Sequence, residues 1–271
     1  MLKINSLSYY YHKKKVILDN ITTVLQPGNI YGLLGLNGEG KTTFLKILVS
    51  MLFPKEGEVV INSSNSKDRS VSYLSQVYFL SDHSKLPAIK IEEFGKIYGV
   101  FYKGYSHEQY LNNLEVFQIP MNHHLKQLSL GQHRKVHIAF ALATNTPILI
   151  LDEPTNGLDI PSKSVFRKLL ASYMNVDKII LIATHQIKDV DKLLDHLLIM
   201  KNGKLVVDES IPTLSRKYKI SNQIQEGIPV LHVEEDYFQK NYLIENNNED
   251  EESKLDIEFL FNAFTQNPKI N

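Results

Sequence analysis

The chain has 271 residues, 30 Lys+Arg against 30 Asp+Glu, 43% hydrophobic residues, and neither Cys nor Trp. That length buries an ample core, and the balanced charge argues against a basic nucleic-acid coat or a disordered polyelectrolyte. Without cysteine there is no disulfide framework, thiolate zinc site or cysteine nucleophile, and no stretch offers the roughly 20 apolar residues a membrane-spanning helix needs. The first residues lack the apolar block of a secretory signal. In chain order, Leu2 and Ile4 alternate with Lys3 and Asn5 as in a strand, with Ser6 expected beside Leu2 and Ile4, and Leu7 on the opposite face. A polar turn at Lys13-Lys14-Lys15 leads to a second strand, Val16 to Leu25, closed by Pro27-Gly28. Ile30 to Leu34 is the near-continuous apolar run of a strand buried on both faces. A glycine-rich turn over Gly35 to Gly40 follows, and Lys41 to Leu52 carries apolar residues at helical spacing up to Pro54.

Further strands are expected at Glu58 to Asn62 and Val71 to Ser75. Ile91 to Tyr102, Ser106 to Phe117 and Leu130 to Ala143 read as helices without intervening strands, forming a helical insert over residues 87–145. Strands at Ile148 to Leu151 and Ile179 to Ala183 then alternate with helices at Pro161 to Met174 and Ile187 to Asp195. A hairpin is expected about Asn202-Gly203. The neutral total conceals a division: residues 221–271 hold eleven acidic and three basic side chains, residues 1–220 hold 27 basic and 19 acidic. The chain therefore divides into 1–217 and a small acidic α+β extension at 218–271. Within the extension we expect a strand at Ile228 to Val233, a solvated loop at Asn246 to Ser253 and a helix at Leu255 to Phe264.

Gly35-Leu36-Asn37-Gly38-Glu39-Gly40-Lys41-Thr42 fits the phosphate-binding loop pattern, with a strand before it and a helix after it. Glycines let successive N–H groups turn toward phosphate oxygens, the helix N-terminus adds positive potential, Lys41 reaches the β/γ oxygens and Thr42 can ligate Mg²⁺. Asn37, Gly38, Glu39, Gly40 and Thr43 complete the loop. The buried strand Ile148–Leu151 delivers Asp152, a ligand for Mg²⁺, and Glu153, an acceptor for the proton of an attacking water. The bland alternatives, a connecting glycine turn and a solvated acidic pair, account for neither pattern occurring with the other.

Leu128-Ser129-Leu130-Gly131-Gln132 opens a helix, and Pro154-Thr155-Asn156-Gly157-Leu158-Asp159 follows the acidic pair. With these, residues 1–217 resemble the ATP-binding subunit of an ABC transporter: an α/β P-loop NTPase of the ABC type, its mixed sheet carrying an antiparallel part and a helical insert. The resemblance implies further roles. Gln76 matches a glutamine that contacts Mg²⁺ or the attacking water. Ser129, Gly131 and Gln132 match the signature that approaches ATP held by another subunit, and Asp159 an aspartate at that dimer interface. His185, in Ala183-Thr184-His185, matches the histidine that grips the γ-phosphate. An aromatic near the N-terminus stacks on adenine, and among Tyr9, Tyr10 and Tyr11 the spacing favours Tyr11. Each has a structural alternative, such as a strand-end polar residue for Gln76 or a tyrosine packed on the sheet.

Two positions depart from the family pattern. Leu130 stands where a glycine is usual, and Glu39 where a small residue is usual; a carboxylate facing phosphates repels them, so Glu39 is expected to point to solvent. The resemblance further implies ATP and Mg²⁺, a homodimer or heterodimer with a related ATPase subunit, separate transmembrane permease subunits docked on the insert, and no nucleic-acid partner. It places the chain in the cytoplasm, peripheral on the inner face of the membrane. The insert and the last helix resemble export-type subunits. An ATP-dependent switch outside transport is the alternative, though such proteins carry a long heptad insertion or a second nucleotide domain, and neither is seen.

Overall fold

The computed structural model describes residues 1–11, 15–82, 87–224, 228–235, 240–246 and 252–266. Lys13 and Lys14 of the expected turn, and residues 247–251 of the expected solvated loop, lie outside them. Strands β1 (Leu2–Tyr10) and β2 (Val16–Leu25) pair antiparallel. The alternation in β1 does not run through as the sequence suggests. Leu2 and Ile4 are buried, but then so are Leu7 and Tyr9. Ser6 adopts φ 46° and the register shifts between Ile4 and Leu7, so a bulge reverses the faces midway.

Next come β3 (Asn29–Leu34), helix α1 (Lys41–Leu48), β4 (Glu56–Ile61) and the two-residue β5 (Ser64–Asn65). The helix ends four residues before the apolar periodicity does, because Ser50 turns to φ 59°. The expected strand over Val71 to Ser75 is instead a helical turn, α2 (Val71–Leu74), capped by the Ser70 hydroxyl on the Tyr73 N–H. The strand is β6 (Val77–Leu80), four apolar residues further on. The insert supplies α3 (Ile91–Gly99), α4 (His107–Val116) and α5 (Leu130–Ala143). After these come β7 (Ile148–Asp152), α6 (Ile160–Tyr173) and β8 (Ile179–Ala183). The helix expected from Ile187 is two short 3₁₀ turns, over Ile187–Asp189 and Asp191–Leu193. The chain closes with β9 (His196–Lys201), β10 (Lys204–Ser210), α7 (Ile211–Lys217), β11 (Tyr218–Ser221), β12 (Val230–Glu235), β13 (Lys240–Glu245) and α8 (Ile257–Gln266).

A six-stranded sheet runs β10-β9-β3-β8-β7-β6, parallel throughout except at β10. Its register sets the strand ends level: Leu33 and Asp152 both stand opposite Ala183, and Leu80 stands opposite Leu151. The antiparallel sheet β2-β1-β4-β5 and α1 pack on one face, where Leu2, Ile4, Leu18, Phe44 and Leu48 join Ile150 and Leu181. On the other face, α5 is buried without a break from Val136 to Ala143. Phe140 gathers the rings of Phe94, Tyr105, Tyr78 and Tyr110 at centroid distances of 4.8 to 5.9 Å, which ties the insert to the sheet.

The acidic extension forms a third sheet, β11-β13-β12, plus α8. Its core is continuous with that of the preceding residues: Phe259, Leu260, Ala263 and Phe264 share one cluster with Ile187, Val190, Leu197 and Ile199. The sequence did not reveal β11 or β13, whose mixed composition carries little period-2 signal. Leu260 is fully buried. Leu260→Ala is expected to cost about 2–5 kcal/mol, read from urea unfolding of the full chain.

His137, buried on α5, is held down to about 4 by burial first and then by the Arg134 and His133 charges. Because the folded value lies below the ordinary 6.5, the unfolded chain binds the proton more readily. Its contribution is intact above about pH 6.5 and fades toward pH 4, by about 3 kcal/mol in all. Urea unfolding across that range is expected to show a steeper loss for the native chain than for His137→Phe.

Candidate functional site

The level strand ends place a cleft at the carboxyl edge of the parallel sheet, where open α/β sheets bind ligands. It encloses about 570 Å³ and is lined by Tyr11, Asn37, Lys41, Thr42, Asp82, Asp152, Glu153 and His185 among others. The loop after β3 forms its floor. Gly38 and Gly40 take φ 89° and 100°, which glycine adopts freely, and the chain thereby folds back into α1. Gly40 caps α1 with no side-chain hydrogen bond, leaving the first-turn N–H groups for an anion. Lys41 Nζ folds onto carbonyls of its own loop, 2.5 Å from Gly35 and 3.2 Å from Leu36. Burial lowers the lysine's pKa, with Glu153, Asp152 and Glu39 opposing that shift.

At the end of β7, the Thr42 hydroxyl donates to Asp152 Oδ2 over 3.2 Å. Burial raises the Asp152 carboxyl above its ordinary range, against the Thr42 hydrogen bond. Glu153 sits at φ 48°, a conformation an L side chain adopts only when its surroundings hold it. They do: its N–H donates to Ala183 O at 2.8 Å, and its carboxylate accepts from the Thr184 hydroxyl at 2.9 Å and the His185 N–H at 3.1 Å. The His185 ring Nδ1 lies 2.7 Å from Glu153 Oε1, while the imidazole stands 57% exposed at the cleft. The chain ends of β7 and β8 thus present a carboxylate and an imidazole as one unit.

Of the three N-terminal tyrosines, Tyr11 lines the cleft. Its hydroxyl is 3.2 Å from Thr43 Oγ1 and its ring stands edge-on to Tyr9, at 5.0 Å. Tyr9 is buried and Tyr10 lies beside Lys55.

Gln76 is not in the cleft. It precedes β6, so it lies at the opposite end of the strand, about 16 Å from Ser81 for five extended residues. There it accepts from Asn62 Nδ2 and donates to Ser72 O. The residues that reach the cleft from β6 are Ser81 and Asp82. The missed signal is in the sequence: Val77-Tyr78-Phe79-Leu80 followed by Ser81-Asp82 repeats the apolar-run-then-acid order of Ile148 to Asp152. The buried Arg134 of α5 fixes this segment, donating to Ser81 O at 3.1 Å and to Asp82 O and Oδ1 at 2.8 Å. Asn156, also missed, donates to Asp82 Oδ1 and accepts from Gln186, joining three strand-end loops.

The signature residues sit apart from this cleft. Ser129 caps α5, its hydroxyl accepting from the Gln132 N–H while Gln132 Oε1 accepts from the Ser129 N–H. A β-carbon on Gly131 would stand 2.7 Å from Gly157 O, so only glycine lets α5 approach that loop. Leu130 is 80% exposed. Asp159 caps α6, accepting from the Ser162 N–H at 2.8 Å; hydrogen bonding from the Ser162 side chain first, and then from its backbone, lowers the Asp159 pKa. Glu39 does not point to solvent as expected; its carboxylate accepts from the backbone N–H of Asn202.

The family model described as ABC transporter matches residues 18–156. An uncharacterized ABC transporter ATP-binding protein of Methanocaldococcus jannaschii is 32% identical over 228 residues, covering 83% of this chain and 84% of that protein. The Nod factor export ATP-binding protein I of Cupriavidus metallidurans is 30% identical, covering 71% and 66%. The zinc uptake system ATP-binding protein ZurA of Listeria innocua is 27% identical, covering 78% and 86%. Among solved structures, a dimeric post-hydrolysis ATP-binding cassette bound to ADP and Pi superposes with a TM-score of 0.68 at 26% identity, covering 78% of this chain and 98% of its own.

Asp82 and Gln76 separate by experiment. Asp82→Asn is expected to lower ATP turnover by about tenfold or more, whereas Gln76→Ala stays within about twofold of the native rate, in a steady-state phosphate-release assay.

Proposed function

The chain belongs to the ATP-binding proteins of ABC transporters, and from that premise we propose that it is half of a two-ATP motor that drives separate membrane subunits in export. The observation that carries the reading is the Glu153–Thr184–His185 cluster facing Lys41, Thr42 and Asp152 across one cleft. ATP hydrolysis asks little covalent chemistry of the protein and much charge placement. The loop amides and Lys41 would hold the β/γ oxygens, with Tyr11 placed to stack on the adenine. Glu153 would take a proton from the attacking water, and His185 would hydrogen-bond the γ-phosphate. Because His185 and the Thr184 hydroxyl both hold Glu153, the base is oriented before substrate arrives.

A divalent ion fits here. The Thr42 hydroxyl and the Asp152 carboxylate are already within hydrogen-bond reach, and Asp82 lines the same cleft. These are hard oxygen donors in the small number that Mg²⁺ takes when phosphates and water complete its shell. When bound, Mg²⁺ supplies neutralising charge beside the phosphates.

Support for pairing comes from what the cleft lacks. Ser129, Gly131 and the exposed Leu130 are outside its lining, as are Asp159 and the 84% exposed Ile160. A second chain would bring its signature to this ATP; the cassette to which the fold is similar, bound to ADP and Pi, is dimeric. No helix among the described residues is long and apolar enough to cross a membrane, and the partner we propose is a separate permease. The exposed Ile97, Val100 and Phe101 at the end of α3 suit its docking. Export is favoured by the insert and by the Nod factor export relative; the zinc uptake relative is the competing precedent. Transport assayed in vesicles of both orientations with the co-purified permease tells them apart.

Glu153→Gln is expected to keep ATP binding, to lower turnover by at least about a hundredfold, and to accumulate as an ATP-bound dimer on size exclusion. A monomer in ATP together with native turnover would refute the proposal.

A further inference from the structure

The phosphate loop meets the rest of the chain at the hairpin between β9 and β10, and they meet through backbone. A β-carbon at Gly35 would lie 2.8 Å from Met200 O. One at Gly40 would lie 2.9 Å from Ile17 O, and one at Gly203 would lie 2.4 Å from that same carbonyl. The Asp19 N–H donates to Gly203 O at 2.9 Å, closing the hairpin tip against β2. Three segments remote in sequence are thus in contact where side chains do not fit. Packing of this kind sets their spacing but gives the loop no directional bond to its neighbours.

Glu39 supplies one. It is the acidic residue of the phosphate loop, it is half-buried, and its carboxylate accepts from the Asn202 N–H across 163 positions of sequence. Asn202 stands at φ 52° in the hairpin turn, beyond the last paired residues Lys201 and Lys204, so its N–H lies outside the β9–β10 ladder and is available to the loop. The contact also resolves a conflict. A free carboxylate in a loop that wraps phosphates repels them, whereas one turned onto the hairpin is directed away and has its charge partly satisfied.

We propose that Glu39 is a positioning residue that ties the phosphate loop to the β9–β10 hairpin and holds the loop in its anion-receiving shape before the nucleotide arrives. The role rests on the ATP-binding reading of this cleft. It is distinct from direct contact with ATP, because the carboxylate is spent on Asn202. Holding the loop in the free protein lowers the ordering cost of binding. Its loss therefore falls on affinity, while saturating ATP restores the loop and with it the chemical step.

Two variants separate the tie from the charge. Glu39→Ala removes both; Glu39→Gln keeps an acceptor oxygen for the Asn202 N–H and removes only the charge. Titration with a fluorescent ATP analogue and steady-state turnover are read beside hydrogen exchange at residues 35–42 in the nucleotide-free chain. Glu39→Ala is expected to weaken binding and raise KM by about tenfold, to leave kcat within about twofold, and to speed exchange in the loop. Glu39→Gln is expected to bind at least as tightly as the native chain and to exchange as slowly. The proposal is overturned if Glu39→Ala binds as well as the native chain or better, which marks Glu39 as a source of repulsion. Equal weakening in both variants also overturns it, since charge rather than the tie would then matter. If the native chain itself does not bind the analogue, the ATPase reading fails, and the exchange rates still decide the anchor.

Discussion

A triphosphate brings several negative charges into a cleft, and everything in this fold follows from having to receive them without leaving them uncompensated. Bulk charge does not do it, since the chain is neutral overall. The solution is placement: a parallel sheet whose strands end level, so that the N–H groups after β3, the acids after β7 and β6 and the imidazole after β8 face one volume. Were the register of one strand to slip by a residue, its side chains would exchange faces and its terminal group would leave the cleft.

The loops at those strand ends hold one another. Arg134 of α5 grips the Ser81–Asp82 segment, Asp82 accepts from Asn156, Asn156 accepts from Gln186, and Gln186 accepts from Lys163. Lys163 in turn pairs with Asp189, in the turn directly after His185. The signature helix, the acid-bearing loops and the histidine loop are therefore one polar assembly. In such a network a change at any member is felt by the others, because every buried group depends on its neighbours for satisfaction.

The acidic extension enters the same assembly from outside. Helix α8 packs on the turn that begins at Ile187, and Lys188 pairs with Glu258 at 2.7 Å. Lys201 of β9, next to the hairpin tip that meets Glu39, donates to Phe264 O. The buried face of α8 thus braces strand-end loops, while Glu235, Glu245, Glu252, Asp256 and Glu258 of the extension are exposed to water.

By itself the sequence determined what depends on local order. Gly35 to Thr42 requires a strand before and a helix after to be a phosphate loop, and Ile148 to Glu153 is legible because a fully buried strand must be apolar until it ends. Leu130 to Ala143 and Ile179 to Ala183 were readable to the residue for the same reason. Where a residue's role depends on which end of a strand it occupies, local order misleads. Gln76 follows an apolar stretch, yet the Ser70 cap turns Val71–Leu74 into helix and moves the strand beyond it, so that Asp82 reaches the cleft instead. Only tertiary structure decided the bulge at Ser6, the packing of the extension and the contact of Glu39 with Asn202. Each of these joins segments far apart in the chain, and no spacing within one segment encodes a partner in another.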